Sequence, residues 1–255
     1  MSSRLIIRTI TEFRRHYRSL GPRDAVLGLL PWREGEEVKL LDLLDRGVAF
    51  FPSALAQMLI RSKAAQAEVL GEFMVPGTFV AYSHADLARH LGESRAYSDG
   101  QVITKRDRAH LGLGVSLWPS LETLYSLGGL QGLPYPLVVQ SFLTEGRDFR
   151  VVVLGDYAEA YERLNPRSFR KNLFQGGSSR PAPLSSELLG FCRRVLDRGK
   201  FPYAILDVLA SAAGDLYLSE ISMKGGLTGA RLSQAEFRER VQNLEEDFVR
   251  QWESS

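Results

Sequence analysis

The chain has 255 residues, 44% of them hydrophobic and 24% charged, with a formal net charge of +2. That balance suits a folded protein of one large α/β unit or two to three packed lobes, and the near-neutral charge singles out no class of partner. Cys192 is the only cysteine, which excludes an intrachain disulfide and a cysteine-rich zinc site and leaves a buried, inert thiol as its expected state.

The opening residues lack the apolar run of a secretory signal, and no stretch approaches the roughly 18–20 apolar residues of a membrane span. The expectation is a cytoplasmic protein with no membrane partner. Residues 1–20 are locally basic through Arg4, Arg8, Arg14, Arg15, His16 and Arg18. No recognition motif accompanies that charge, so a solvated helix face is expected rather than a nucleic-acid contact.

Before Phe51 no clear βαβ pattern emerges. Residues 48–52 read as a short buried strand ended by Pro52. Ser53 then caps a long helix to about Leu70, apolar at Leu55, Met58, Leu59, Ala65 and Val69. Residues 78–82 are strand-like and lead into Ser83 and Asp86, the capped start of another short helix. From Gln101 strands dominate: 101–105, 114–118 and 136–143, with Gly112 and Gly114 in the first intervening loop. Residues 149–154 and 157–161 form a hairpin turned at Gly155-Asp156. Residues 173–183 read as a loop around Gly176-Gly177. A helix over 185–198 leads to a strand at 203–208, and a second hairpin crosses Gly214-Asp215 into 216–222. Phe237, Val241, Leu244, Phe248 and Trp252 recur at helical steps, so 233–252 is an amphipathic helix. Packing onto the body is its expected role, with a homodimer seam as the sharper alternative.

The polar residues on or beside these strands carry the chemistry. Lys63 sits in the long helix and Lys105 ends a strand before the glycine loop. An ammonium group acts as a point charge on phosphates, and glycine lets backbone approach them. Taken singly, each lysine is more often a solvated surface residue. Asp207 lies toward the end of an apolar strand and Glu220 on the outgoing strand of the next hairpin, so one site can hold both. Paired carboxylates suit Mg²⁺, a hard cation bound through one or two of them plus waters and phosphates. Two unrelated strand-end charges are the alternative. Arg150 and Arg163 fall on the two arms of one hairpin, followed by Arg170, Lys171 and Asn172. Guanidinium forks bind phosphate and carboxylate oxygens in pairs. Cross-strand pairing with Glu159 or Glu162 is the structural alternative.

In order and spacing, residues 51–230 resemble ATP-grasp proteins, in the RimK-like branch of carboxylate–amine ligases. Three stretches carry the likeness. Gln140-Ser141-Phe142-Leu143, followed by Gly146, Asp148 and Arg150, is similar to the linker and strand around adenine and ribose. Ser168 to Leu173 with Gly176-Gly177 resembles the phosphate loop, and Asp207, Glu220 and Ser222 with Gly225-Gly226 resemble the terminal metal motif. Upstream, Arg61-Ser62-Lys63 ahead of Pro76 and Thr78 is similar to the family's lead-in helix and turn. A fainter similarity, in Ser62-Lys63, residues 169–173 and residues 201–204, is to the subgroup found beside HPr-kinase-like proteins.

The resemblance implies an α/β, ATP-grasp fold in which two antiparallel-sheet-containing lobes clamp the nucleotide. It implies a reduced N-terminal lobe and lead-in helix over 1–75, a central lobe over 76–140, and a C-terminal lobe with its terminal helix over 141–255. It further implies ATP and Mg²⁺, with Mn²⁺ as a substitute, as cofactors. Lys63 and Lys105 would meet the phosphates, as would Arg170, Lys171 and Asn172. Gln140, Ser141, Phe142, Leu143 and Asp148 would surround the adenosine. Asp207, Glu220 and Ser222 would hold the metal, and Arg150 and Arg163 would contact the acyl phosphate or the incoming carboxylate. The implied partners are ATP, a carboxylate substrate and an amine acceptor, a peptide or small protein among the candidates. Ser222 stands where the family usually has asparagine, and a hydroxyl is the poorer Mg²⁺ ligand. That departure, with the short N-terminal lobe, keeps open a nucleotide-binding scaffold that no longer ligates.

Overall fold

The computed structural model describes residues 4–93, 100–109, 114–165 and 176–254. Three sheets follow one another along the chain. The first is parallel: β1 (Ile6–Ile7), β2 (Ala25–Leu27) and β3 (Ala49–Phe51), connected by α1 (Ile10–His16) and α2 (Val38–Asp45). This is the βαβαβ pattern that the sequence does not reveal. β3 falls within the strand expected at 48–52, whereas β1 and β2, two and three residues long, are too short for any periodicity to register. Phe13, Leu40, Leu43 and Phe50 close a small core around it, with Trp32 donating its indole N–H to Gln57.

The single helix expected from Ser53 to Leu70 is two. Ser53 caps α3 (Ala54–Leu59) and Ser62 caps α4 (Lys63–Leu70), its hydroxyl accepting from Ala65 N–H at 2.9 Å. Apolar spacing runs through the joint, so only Ser62's preference for a cap marks the break. The consequence is positional: Lys63 stands at the first turn of a helix rather than inside one.

The second sheet has the order β4-β7-β5-β6, with β4 (Phe79–Ala81), β5 (Val102–Arg106), β6 (Val115–Trp118) and β7 (Leu137–Ser141), all pairs antiparallel. α5 (His84–Glu93) and α6 (Leu121–Gln131) cover one face, with Leu87, Leu121 and Leu124 fully buried against it. The third sheet is also antiparallel, in the order β10-β9-β8-β11-β12: β8 (Gly146–Leu154), β9 (Tyr157–Leu164), β10 (Ser178–Ala182), β11 (Tyr203–Ser211) and β12 (Leu216–Ser222). β10 falls where the sequence reads as a loop. It contains Pro181, which a sheet tolerates only at an edge, and β10 is an edge strand.

α7 (Ser186–Gly199) covers one face of this sheet through Leu188, Phe191, Cys192 and Val195. Cys192 is fully buried, and burial pushes its thiol up to about 12, which fits an inert core residue. The terminal helix α8 (Gln234–Glu253) opens with a capping box of Ser233 and Glu236. Its apolar stripe packs on the body: Phe248 lies 5.1 Å from Phe51, and Phe237 meets Tyr203 edge-on. No helix among the described residues is long and apolar enough to cross a membrane.

Candidate functional site

A cavity of about 1040 Å³ lies between the second and third sheets, bounded on a third side by the loop after β2. Its floor is one face of the third sheet. Alternation puts Asp148 and Arg150 of β8, Arg163 of β9 and Asp207 of β11 on that face, and the pairing register sets them side by side. Asp207 lies opposite Arg150 on one side and opposite Glu220 on the other.

A bulge shapes the β12 edge. Val208 pairs with Leu218 and Asp207 with Glu220, so Ser219 is the additional residue. Bulges of this kind re-aim side chains beside functional sites. Here both Ser219 and Glu220 line the cavity.

The charged groups form two connected sets. In the first, Arg150 grips Asp207 with Nε on Oδ1 at 2.7 Å and Nη2 on Oδ2 at 2.9 Å. Arg163 places Nη1 on the same Oδ2 at 2.9 Å and donates Nε to Asp148 Oδ1 at 2.8 Å. Burial works to raise the Asp207 pKa, but Arg150 and then Arg163 outweigh it and hold the group ionised, its pKa below the usual carboxylate range. The pairing considered from sequence was with Glu159 or Glu162. Glu159 instead accepts the backbone N–H groups of Arg231 and Leu232, and Glu162 binds Arg147 and Arg180. The reason is the alternation of the strand, which turns Glu162 to the opposite face from Arg163.

In the second set, two lysines reach across to β12. Lys63 donates to Glu220 Oε1 at 2.9 Å and to the Ala109 carbonyl at 2.6 Å. Lys105, on β5, donates to the Ser219 carbonyl at 2.9 Å and approaches its hydroxyl at 3.3 Å. Burial pushes the Lys105 ammonium down to about 8. Ser62 and Asp107 fix the first turn of α4: the Ser62 hydroxyl donates to Asp107 Oδ1 at 2.8 Å, which also accepts Ala64 N–H at 3.1 Å.

At the end of β7 the wall passes through Gln140, Ser141, Phe142 and Leu143. Gln140 is 1% exposed, yet neither its amide nitrogen nor its amide oxygen has a hydrogen-bond partner among the described residues. A buried amide with both functions unused is uncommon, because its desolvation is uncompensated. With apolar lining residues such as Ile103 and Leu209 in the same cavity, this corner suits a flat polar ring.

For a divalent cation, Glu220 and Ser222 supply hard oxygen donors on the edge strand. No three carboxylate, imidazole or thiol groups converge among the described residues. That donor set fits Mg²⁺ completed by phosphate oxygens and water rather than an all-protein cage.

Of the residues singled out in the sequence, Lys63, Lys105, Gln140, Ser141, Phe142, Leu143, Asp148, Arg150, Arg163, Asp207, Glu220 and Ser222 all line this one cavity. Arg170, Lys171 and Asn172 lie outside the described residues, as does Gly112. Sequence reasoning missed Ser219, which only the bulge brings inward, and Arg108, which carries a rare left-handed backbone (φ 55°). Arg61 is legible only as the neighbour of Lys63.

The family described as the RimK-like ATP-grasp domain matches residues 56–241. A probable alpha-L-glutamate ligase 2 of Shewanella frigidimarina is 32% identical over 133 residues, and a probable alpha-L-glutamate ligase of Serratia proteamaculans is 28% identical over the same length. Each match spans 50% of this chain and 44% of the relative. Among solved structures, the D-Ala:D-Ser ligase VanG of Enterococcus faecalis superposes with a TM-score of 0.61 at 17% identity, covering 87% of this chain and 72% of VanG. The ATP-grasp ligase PsnB with its minimal precursor gives 0.57 at 15% identity, covering 95% and 98%. At these identities the likeness to solved structures establishes the fold.

Proposed function

The chain belongs to the RimK-like ATP-grasp family, and on that premise we propose that it joins a carboxylate to an amine with cleavage of ATP. The observation that carries the reading is the convergence of Lys63, Lys105, Arg150, Arg163 and Glu220 on one cavity between two antiparallel sheets. A carboxylate becomes reactive toward an amine once a phosphoryl group is transferred to it. Phosphate then leaves as the amide forms. Little of that is covalent work for the protein, so positioning and charge stabilisation dominate.

Each group has a part in such a reaction. The ring-sized corner at Gln140 receives the adenine, with the unused amide able to donate and accept in one plane. Lys63 and Lys105 reach the phosphates from the side opposite the sheet floor. Mg²⁺ would be held by Glu220 together with phosphate oxygens, and it would offset charge on the group in transfer. Arg150 and Arg163 face the same space and stabilise the anion that develops between phosphate and carboxylate. The relatives named as glutamate ligases and the PsnB complexes with peptide precursors support an amino acid or a peptide on the amine or carboxylate side.

The test has two stages. Thermal unfolding with Mg·AMP-PNP should show stabilisation of roughly 2.7 kcal/mol at about a hundred times the dissociation constant. Lys105→Ala should remove it. ADP release should then require a carboxylate and an amine together. Nucleotide binding with no ADP release across a broad pool of both would replace the ligase by a nucleotide-binding scaffold.

A further inference from the structure

Asp207 and Glu220 are neighbours across one strand pair, but they stand differently toward a cation. Asp207 is engaged on both oxygens, by Arg150 twice and by Arg163 once, at 2.7–2.9 Å. A carboxylate has about four lone-pair positions, so three guanidinium hydrogen bonds leave room for one more contact at most. Its side chain is 14% exposed, against 39% for Glu220. Glu220 meets Lys63 through Oε1 only, and Oε2 has no partner among the described residues. Ser222, the remaining donor on this edge, offers a hydroxyl in place of a stronger oxygen ligand.

We infer that the site takes one divalent cation with its nucleotide, on the Glu220 side, and that Asp207 is a positioning residue. It holds Arg150 and Arg163 together toward the phosphates, where their guanidinium groups stand in for a second cation. This rests on the nucleotide-site reading above.

Counting bound Mn²⁺ by electron paramagnetic resonance, with saturating AMP-PNP, tests it. One Mn²⁺ per nucleotide-loaded chain is expected, retained within about threefold in Asp207→Asn and weakened at least tenfold in Glu220→Gln. With Mg²⁺ instead, the ³¹P resonances of bound AMP-PNP should shift in Asp207→Asn and in Arg163→Lys, which a purely structural role for Asp207 would not produce. Two Mn²⁺ per wild-type chain would overturn the proposal even if the Asp207 variant failed to fold. So would a tenfold loss of Mn²⁺ in Asp207→Asn, or unmoved ³¹P resonances in that variant. A chain that is not stabilised by AMP-PNP at all would instead sink the nucleotide reading, and this proposal with it.

Discussion

Gln140 sets stability against binding within one side chain. Its amide is buried with both functions unpaired, and such a group costs about 1–3 kcal/mol in desolvation. Gln140→Leu should therefore leave the free protein as stable as wild type or up to about 2 kcal/mol more stable in urea unfolding. The same variant should lose most of the stabilisation that Mg·AMP-PNP confers. A variant that gains stability and keeps its nucleotide response would remove Gln140 from the site. Arg163 behaves in the opposite sense. Its side chain is 6% exposed and serves both Asp148 and Asp207, so Arg163→Ala leaves buried carboxylates uncompensated. Loss of one member of a buried pair costs about 3–5 kcal/mol, and urea unfolding should register a loss of that order. Glu162, on the outer face, gives a pH signature. Hydrogen bonds from Arg147, and then Arg180, outweigh burial and hold it down to about 2. Because the folded value is the lower one, its contribution is complete above the ordinary glutamate range and disappears as pH falls through about 2. The gap in melting temperature between wild type and Glu162→Gln should be steady from neutral pH to about pH 5 and close near pH 2.

Elements were legible in the sequence where a pattern had length to repeat. The hairpin β8–β9, the pair β11–β12 and the stripe of α8 all fall where alternation or helical spacing places them. Of the first sheet only β3 registered, as the strand at 48–52, and α6 did not, its Gly128 and Gly129 diluting any helical stripe. The candidate residues were legible as a set because they sit on those long strands. Their partners were not: Arg163 reaches Asp207 across β8, and strand order is fixed by tertiary pairing that no local pattern records. The joint between α3 and α4 is the most testable of the missed features. Ser62→Ala removes both the cap on Ala65 N–H and the hydroxyl on Asp107, and should cost about 1 kcal/mol in chemical unfolding. With Asp107 held by one hydrogen bond fewer, the loop that carries Arg108 should also show faster amide exchange.

Across the whole molecule, α8 ties the first lobe to the last. Arg8 pairs with Glu245 at 3.4 Å, Arg4 donates to the Glu253 carbonyl at 2.9 Å, and Phe248 rests on Phe51 of β3. The apolar stripe of α8, with a dimer seam as its alternative use, is thus packed within the chain. A helix anchored in both lobes makes them unfold together, so wild type should show coincident transitions by fluorescence and circular dichroism. Truncating the half-buried Phe248 to alanine should cost about 2–3 kcal/mol, somewhat less than a fully buried aromatic. A larger loss with separated transitions would mean that this contact alone couples the lobes.

The bulge at Ser219 has a consequence of its own. On a regular strand, two successive side chains cannot both look into the cavity, so a strand edge normally contributes every second residue. The extra residue breaks that rule once, and the carbonyl and hydroxyl that seat Lys105 both belong to it. Deleting Ser219 would leave Leu218 against Val208 and Glu220 against Asp207, so every apolar partner of β12 keeps its place. The ammonium on the facing sheet would lose both oxygens that seat it across the gap. Chain length at a single point, rather than the chemistry of any side chain, therefore sets how the two halves of the cavity meet.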